Sequence, residues 1–205
     1  MARFSQAISE GDGISVVPVL EGEVAELAAL AEEAGAEAIA VSPRDGGAAR
    51  GATSLPLVVD GLRSSRDIDG LVQAGVDGCI FVYDSDAGEG QLLDELYPAV
   101  DAVGIDCAVE VREAEDLAEI LEQFDPEIVV CASSNQNDEE ELEHMLDLMV
   151  DVPAGKLVVA RPRRPVDRDQ IVALERAGVD AALVDGQFLR VSPDFASALA
   201  ELTGR

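Results

Sequence analysis

The chain has 205 residues, of which 42 are acidic and 14 basic, for a formal net charge of -28. Such a charge disfavours nucleic acid and anionic membrane as partners, because their phosphates would be repelled. Hydrophobic residues make up 48% of the chain, enough for a full core that, with aromatics at 3%, has to be built from Val, Leu, Ile and Ala; no apolar run approaches the roughly 18 residues of a membrane span.

In chain order, the opening MARFSQAISEGDG holds no hydrophobic signal core, so the protein is expected in the cytoplasm. An apolar run predicts a first strand over 14–20, then an amphipathic helix over about 22–34 and a second strand over 37–42. The next helix is missing from the pattern. The segment PRDGGAARGATSL is short and Gly-rich, a poor helix former, and reads as a loop. Strand 3 follows at 56–60. Further strands at 78–83, 106–111, 127–132, 156–161 and 181–185 alternate with helices at 65–74, 89–101, 113–124, 138–150, 167–177 and 193–203. Asp138 and Asp167 are placed to cap their helices. Three stretches repeat one phrase: AGAEAIAVSPRD (34–45), AGVDGCIFVYDSD (74–86) and AGVDAALVDGQF (177–188), each after an amphipathic helix. The glycine suits a helix C-terminus, and the near-continuous apolar strands suit a parallel sheet buried on both faces.

Eight strand–helix units in one domain, residues 1–205, predict an α/β architecture: a (β/α)8 TIM barrel with the helix after strand 2 replaced by a Gly-rich loop. A doubly wound open sheet is the competitor, but no strand is followed by G-x-G-x-x-G. Strand surface left bare by the missing helix would need the loop or a partner subunit over it, and a homodimer is expected. Cys79, Cys107 and Cys131 lie in apolar segments without CxxC spacing and read as buried free thiols. Lys156 is the sole lysine beside 13 arginines, and acidic residues cover the helices. This reads as a halophilic, salt-adapted cytosolic surface, with a GC-rich genome as the alternative origin.

Several longer phrases then carry a resemblance: FSQAISEGDGISVVPVL, AELAALAEEAGAEAIAV, LPLVVDGLRSSRDIDGLVQAGVDGCIFV, AVEVREAEDL and RDQIVALERAGVDAALVDGQFLR. Together they resemble indole-3-glycerol-phosphate synthase, a phosphate-binding barrel of tryptophan biosynthesis, from about residue 4 to residue 192. The resemblance implies the same barrel but not the same site. The Glu-x-Lys pair that closes the family's strand 1 falls on Val19 and Glu21. Its strand 3 general-acid lysine falls on Asp60, its strand 6 asparagine on Ala132, and its strand 7 Glu-Ser-Gly on Arg161, Pro162 and Arg163. The Gly-x-Ser of strand 8 falls on Asp185, Gly186 and Gln187; only the strand 5 glutamate is matched, as Glu110. The synthase reaction needs a lysine acid for ring closure and dehydration, with carboxylates to relay protons. The expectation is therefore a diverged barrel without synthase activity.

In a barrel the reactive groups gather at the C-terminal strand ends. Here these are Glu21, Asp45, Asp60, Asp84, Glu110, Arg161 and Asp185, an acidic ring with one arginine in it. Glu110, Asp60 and Glu21 are the candidate catalytic groups. Arg161, Arg163, Arg164, Asp84, Asp185 and Gly186 are the candidates for holding a small anionic metabolite. Arg161, in phase with Val159 and Leu157, should face the barrel axis and meet Glu110. Arg163 and Arg164, between Pro162 and Pro165, lie where the superfamily holds phosphate and could grip an anion together or pair with acidic neighbours. A divalent ion held by some of Asp60, Asp84, Glu110 and Asp185 is a weaker reading, since no metal spacing supports it; no metal and no cofactor are assigned. Arg168 and His144 read as surface residues. Two classes of function remain open: a non-catalytic or anion-binding barrel, and a lyase- or isomerase-type enzyme of altered chemistry on a small phosphorylated or carboxylated metabolite.

Overall fold

A computed structural model describes residues 3–11, 13–85, 90–133, 140–190 and 194–204. Eight parallel strands close into a barrel in sequential order. They are β1 (Ser15–Leu20), β2 (Ile39–Val41), β3 (Leu57–Asp60), β4 (Gly78–Val82), β5 (Asp106–Val111), β6 (Ile128–Ala132), β7 (Leu157–Arg161) and β8 (Ala181–Asp185). The helices are α1 (Phe4–Ser9), α2 (Val24–Glu33), α3 (Gly46–Arg50), α4 (Ile68–Ala74), α5 (Gly90–Asp101), α6 (Ala114–Gln123), α7 (Glu141–Val150), α8 (Arg168–Ala177), α9 (Gly186–Leu189) and α10 (Phe195–Thr203). The (β/α)8 architecture expected from the repeating pattern is the one observed. Among the described residues, no helix is long and apolar enough to cross a membrane.

The period-2 alternation of the strands sorts the apolar residues into two cores. Val17, Ala40, Val58, Ile80, Ala108, Val130, Val159 and Leu183 fill the barrel interior. The alternate positions, among them Val16, Val41, Val59, Val109, Cys131 and Val184, face the outer helices. With so few aromatics available, Val, Ile, Leu and Ala fill both layers. The left-handed helix ends implied by the repeated Ala-Gly are present at Gly75 (φ 67°) and Gly178 (φ 95°), where a side chain would strain the backbone. Asp167 caps α8 through a full capping box with Gln170. The cap expected at Asp138 lies outside the described residues.

Three helices escape the sequence pattern, the short α9 after β8 among them. The first is α1, which closes the N-terminal end of the barrel by sending Phe4 and Ile8 into the inner core. Phe4 packs so tightly there that a Cβ on Gly78 would stand 3.2 Å from its own Cβ. The second is the segment after β2, which is not a loop. A 3-10 turn at Pro43–Asp45 leads into α3. Tertiary anchors offset the weak propensity of its glycines. Ala49 is fully buried, and Arg50 donates to the carbonyls of Thr53 and Leu55 and to Asp77, at 3.3, 3.0 and 2.8 Å. α3 packs on β3 and against α2 and α4, and so covers strand surface that the sequence pattern left bare.

The three cysteines are buried free thiols. Burial pushes Cys79 and Cys131 up to about 12 and raises Cys107 as well.

Candidate active site at the barrel mouth

The inward rows of the strands run on past the apolar interior and end in charge. On β3, Val58 is followed by Asp60; on β5, Ala108 by Glu110; on β7, Val159 by Arg161; on β8, Leu183 by Asp185. Asp60, Glu110 and Arg161 come from alternate strands, the arrangement by which a barrel builds one layer of side chains. Arg161 sits between the two acids. Its Nη1 donates to Glu110 Oε2 at 2.7 Å, and its Nη2 donates to Asp60 Oδ2. The other Glu110 oxygen, Oε1, accepts from Arg112 Nη2 at 2.9 Å and Nε at 3.2 Å. Glu110 is only 2% exposed, and Arg161 is 24% exposed. A carboxylate taken so far out of water needs this degree of compensation, and two guanidinium groups supply it. Burial works to lower the Arg161 pKa, but the hydrogen bond it donates to Asp60 and the charge of Glu110 outweigh it and raise the value, so this arginine stays charged.

Above the triad lies a cavity of about 400 Å³ floored by Val19, Val82 and Leu183. Its charged lining is Glu21, Asp60, Glu110 and Asp185 against Arg63, Arg112, Arg161 and Arg163. The mouth is therefore not an acidic ring with one arginine, as the strand ends alone suggest. It is balanced, four against four, in a chain whose net charge is -28. Arg63 and Arg112 are the missed residues. Arg112 stands two positions after Glu110 and continues the inward phase of β5, a signal that alternation carries. Arg63 lies beyond the end of β3, where no periodicity reaches.

At the β8–β1 lip, Glu21 accepts from Gln187 Nε2 and Asp185 Oδ1 accepts from the Gln187 N–H, both at 2.8 Å. Asp185 thus caps α9 with its own carboxylate, so its Oδ1 already accepts one hydrogen bond. Gly186 is required for a different reason: a Cβ there would stand 2.6 Å from the Val19 carbonyl oxygen.

Of the remaining candidates Arg163 reaches the mouth, and Asp84, Asp45 and Arg164 do not line it. Asp84 lines an adjoining hollow of about 530 Å³ with Ser85, Glu113, Glu115 and Asp116, which shares Arg112 and Arg163 with the mouth. Asp45 accepts from the Ser42 hydroxyl beside α3. Arg163 and Arg164 do not act as a pair. Arg163 lines the mouth, whereas Arg164 lines a hollow of about 240 Å³ with Glu141, Met145 and Gln170. The chain bends at these two residues beyond the end of β7, and their side chains line different hollows. The Arg163 backbone is held by the buried Glu141, whose Oε1 accepts its N–H at 2.6 Å; nothing in the sequence marks Glu141 for this task. Arg168 is not a bare surface charge, since Nη1 donates to the Leu202 carbonyl near the end of α10. His144 likewise is tied inward, with Nε2 2.9 Å from the Arg112 carbonyl oxygen. Among the described residues, no group of three His, Cys, Asp or Glu is placed to hold a metal ion.

No family model matches the chain. Over 153 residues, 74% of this chain, it is 30% identical to the indole-3-glycerol phosphate synthase of Geobacillus sp. (strain WCH70), and the match spans 58% of that enzyme's length. In overall shape it is similar to a thiamine phosphate pyrophosphorylase from Pyrococcus furiosus, with a TM-score of 0.66 at 17% identity over 93% of this chain and 94% of that one. It is also similar to QR15, an aldolase, with a TM-score of 0.66 at 15% identity over 93% of each chain. At such low identity the two structures speak for the barrel fold alone.

Proposed function

We propose that this barrel binds a small anionic metabolite at its mouth through Arg163 and does not catalyse indole-3-glycerol-phosphate synthesis. The observation that carries the reading is Arg161, fixed between Asp60 and Glu110 where the relative's chemistry would need a lysine acid and mobile carboxylates. The only lysine, Lys156, precedes β7 at the opposite end of the barrel and pairs with Asp125. Both oxygens of Glu110 already accept from guanidinium groups, so neither is disposed to take a proton from a substrate. The open volume above this triad and the arginine-bearing loop held by Glu141 support binding. A second reading, an enzyme of altered chemistry, is favoured by one observation. Glu21 and Asp185 line the same cavity without a guanidinium partner among the described ion pairs, and could carry protons.

Two experiments test the proposal. Expression in a tryptophan auxotroph lacking the synthase should not restore growth; growth without tryptophan would overturn the loss of that activity. Calorimetric titration with inorganic phosphate at low ionic strength should show binding that Arg163→Ala weakens and Arg164→Ala leaves unchanged. The absence of binding to the unaltered protein would sink the anion site.

A further inference from the structure

We infer that the ligand of the mouth is a zwitterion, an amino-phosphate or amino-carboxylate, with its ammonium at the β8–β1 lip against Glu21 and Asp185 and its anionic group toward Arg163. This rests on the reading of the mouth as a small-anion site and narrows it to a ligand class.

Three observations carry the inference. The charged lining is balanced, so a ligand of high net charge would leave the cavity unbalanced, whereas a ligand bearing both signs would not. The charges are also sorted by place. Asp60, Glu110, Arg161 and Arg112 satisfy one another and close the axis. What remains for a ligand is the acidic lip, with Arg163 on the β7 loop and Arg63 beyond β3 as the cationic part of the lining. At the lip, the described partners of Glu21 and Asp185 are an amide and a backbone N–H of Gln187, neither of which carries charge. Strand register brings these acids to one lip: Asp185 ends β8 opposite Val19, and Glu21 follows the end of β1 two residues later. Arg190 stands nearby over Gly22 but is not part of the cavity wall. Finally, a chain of net charge -28 repels a plain anion as it approaches, and an ammonium on the same molecule reduces that cost.

Matched probes decide it. Calorimetry on the whole chain would compare O-phosphoethanolamine, ethyl phosphate and ethanolamine at about 0.15 M ionic strength, where the Debye length is about 8 Å. A parallel pair, 4-aminobutyrate and butyrate, tells a carboxylate ligand from a phosphate one. In whichever pair binds, the zwitterion should bind about fivefold tighter than the plain anion, the scale of a half-exposed ion pair. Glu21→Gln, a conservative change at an exposed residue, should reduce the ratio of zwitterion to plain-anion affinity, and Asp185→Asn should do the same. Equal affinity of zwitterion and anion overturns the inference while the anion site stands. Ethanolamine binding as tightly as O-phosphoethanolamine also overturns it, because it reports general attraction to an acidic surface. Heat from none of the five probes overturns both the inference and the anion site.

Discussion

Arg161 and Glu110 lie 51 positions apart in the chain and meet at 2.7 Å across the barrel mouth. The contact joins β7 to β5 over the intervening β6, and it places a fully ionic bond at the top of an apolar interior. Removing the arginine leaves Asp60 without this partner and a buried Glu110 with only Arg112. Arg161→Ala should therefore cost about 3 kcal/mol, the low end of the range for breaking a buried pair. Urea melts provide the measurement. A cycle with Glu110→Gln should show strong non-additivity, and a melt of Arg161→Ala unchanged from the parent would show that the pair carries no stability.

Stability should rise with salt into the molar range. The net charge of -28 makes the folded chain repel itself, and at 1 M salt the Debye length falls to about 3 Å. Thermal melts in dilute and in 2 M KCl, about 3 Å of screening or less, should differ in favour of the concentrated salt. An equal or lower melting temperature there would contradict both this expectation and the proposal of a salt-adapted surface.

Two glycine substitutions should act in opposite directions. At Gly186 a methyl group would meet the Val19 carbonyl oxygen at 2.6 Å, and a backbone atom in a barrel strand has little room to yield. Gly186→Ala should destabilise by about 1–3 kcal/mol. At Gly47, within α3, a methyl group meets nothing within 4 Å. Gly47→Ala should stabilise by about 0.4–1 kcal/mol, chiefly by restricting the unfolded chain. Chemical denaturation of the two variants checks both signs.

The buried thiols predict an alkaline limit. Burial raises Cys79 and Cys131 to about 12 in the folded protein, against about 8.5 for an unfolded cysteine. Above that unfolded value the denatured chain loses protons that the native chain retains, so stability falls with rising pH. The contribution is complete below about pH 8.5 and is lost progressively as pH climbs toward the folded values. Denaturation from pH 7 to pH 10 should show the decline, and a triple Cys→Ala variant should show less of it. At pH 8 the native thiols should be silent toward a disulfide reagent and should react once urea is added.

Most of the fold is legible because one period, apolar strand then amphipathic helix, recurs with glycine at the helix ends. What escaped it were the short helices α1, α9 and α3; at α3 local propensity points to a loop and the contacts of Ala49 and Arg50 point to a helix. Propensity is a local quantity, whereas those contacts join residues on different elements. At the site, inward phase alone places Arg161 against Glu110, and the same phase would have found Arg112. Asp84 and Arg164 are misplaced by sequence reading because they stand beyond the strand ends. There the alternation stops and loop direction takes over. Glu141 is invisible for a related reason: its role is to receive one N–H from another segment, and an acid in the first turn of a helix looks the same whether or not it does so.

Arg161 has a consequence for the barrel as two halves. The strands β1–β4 carry Asp60, while β5–β8 carry Glu110, Arg112 and Arg161. One guanidinium thus stitches the first half of the molecule to the second at the end farthest from the plug formed by Phe4. Made separately, the first half would keep a lone carboxylate at this seam and the second an excess of positive charge. At this seam alone the two acidic halves are complementary in charge, and the seam is satisfied only in the closed ring. That complementarity favours a barrel that opens as one cooperative unit over one that parts along its middle.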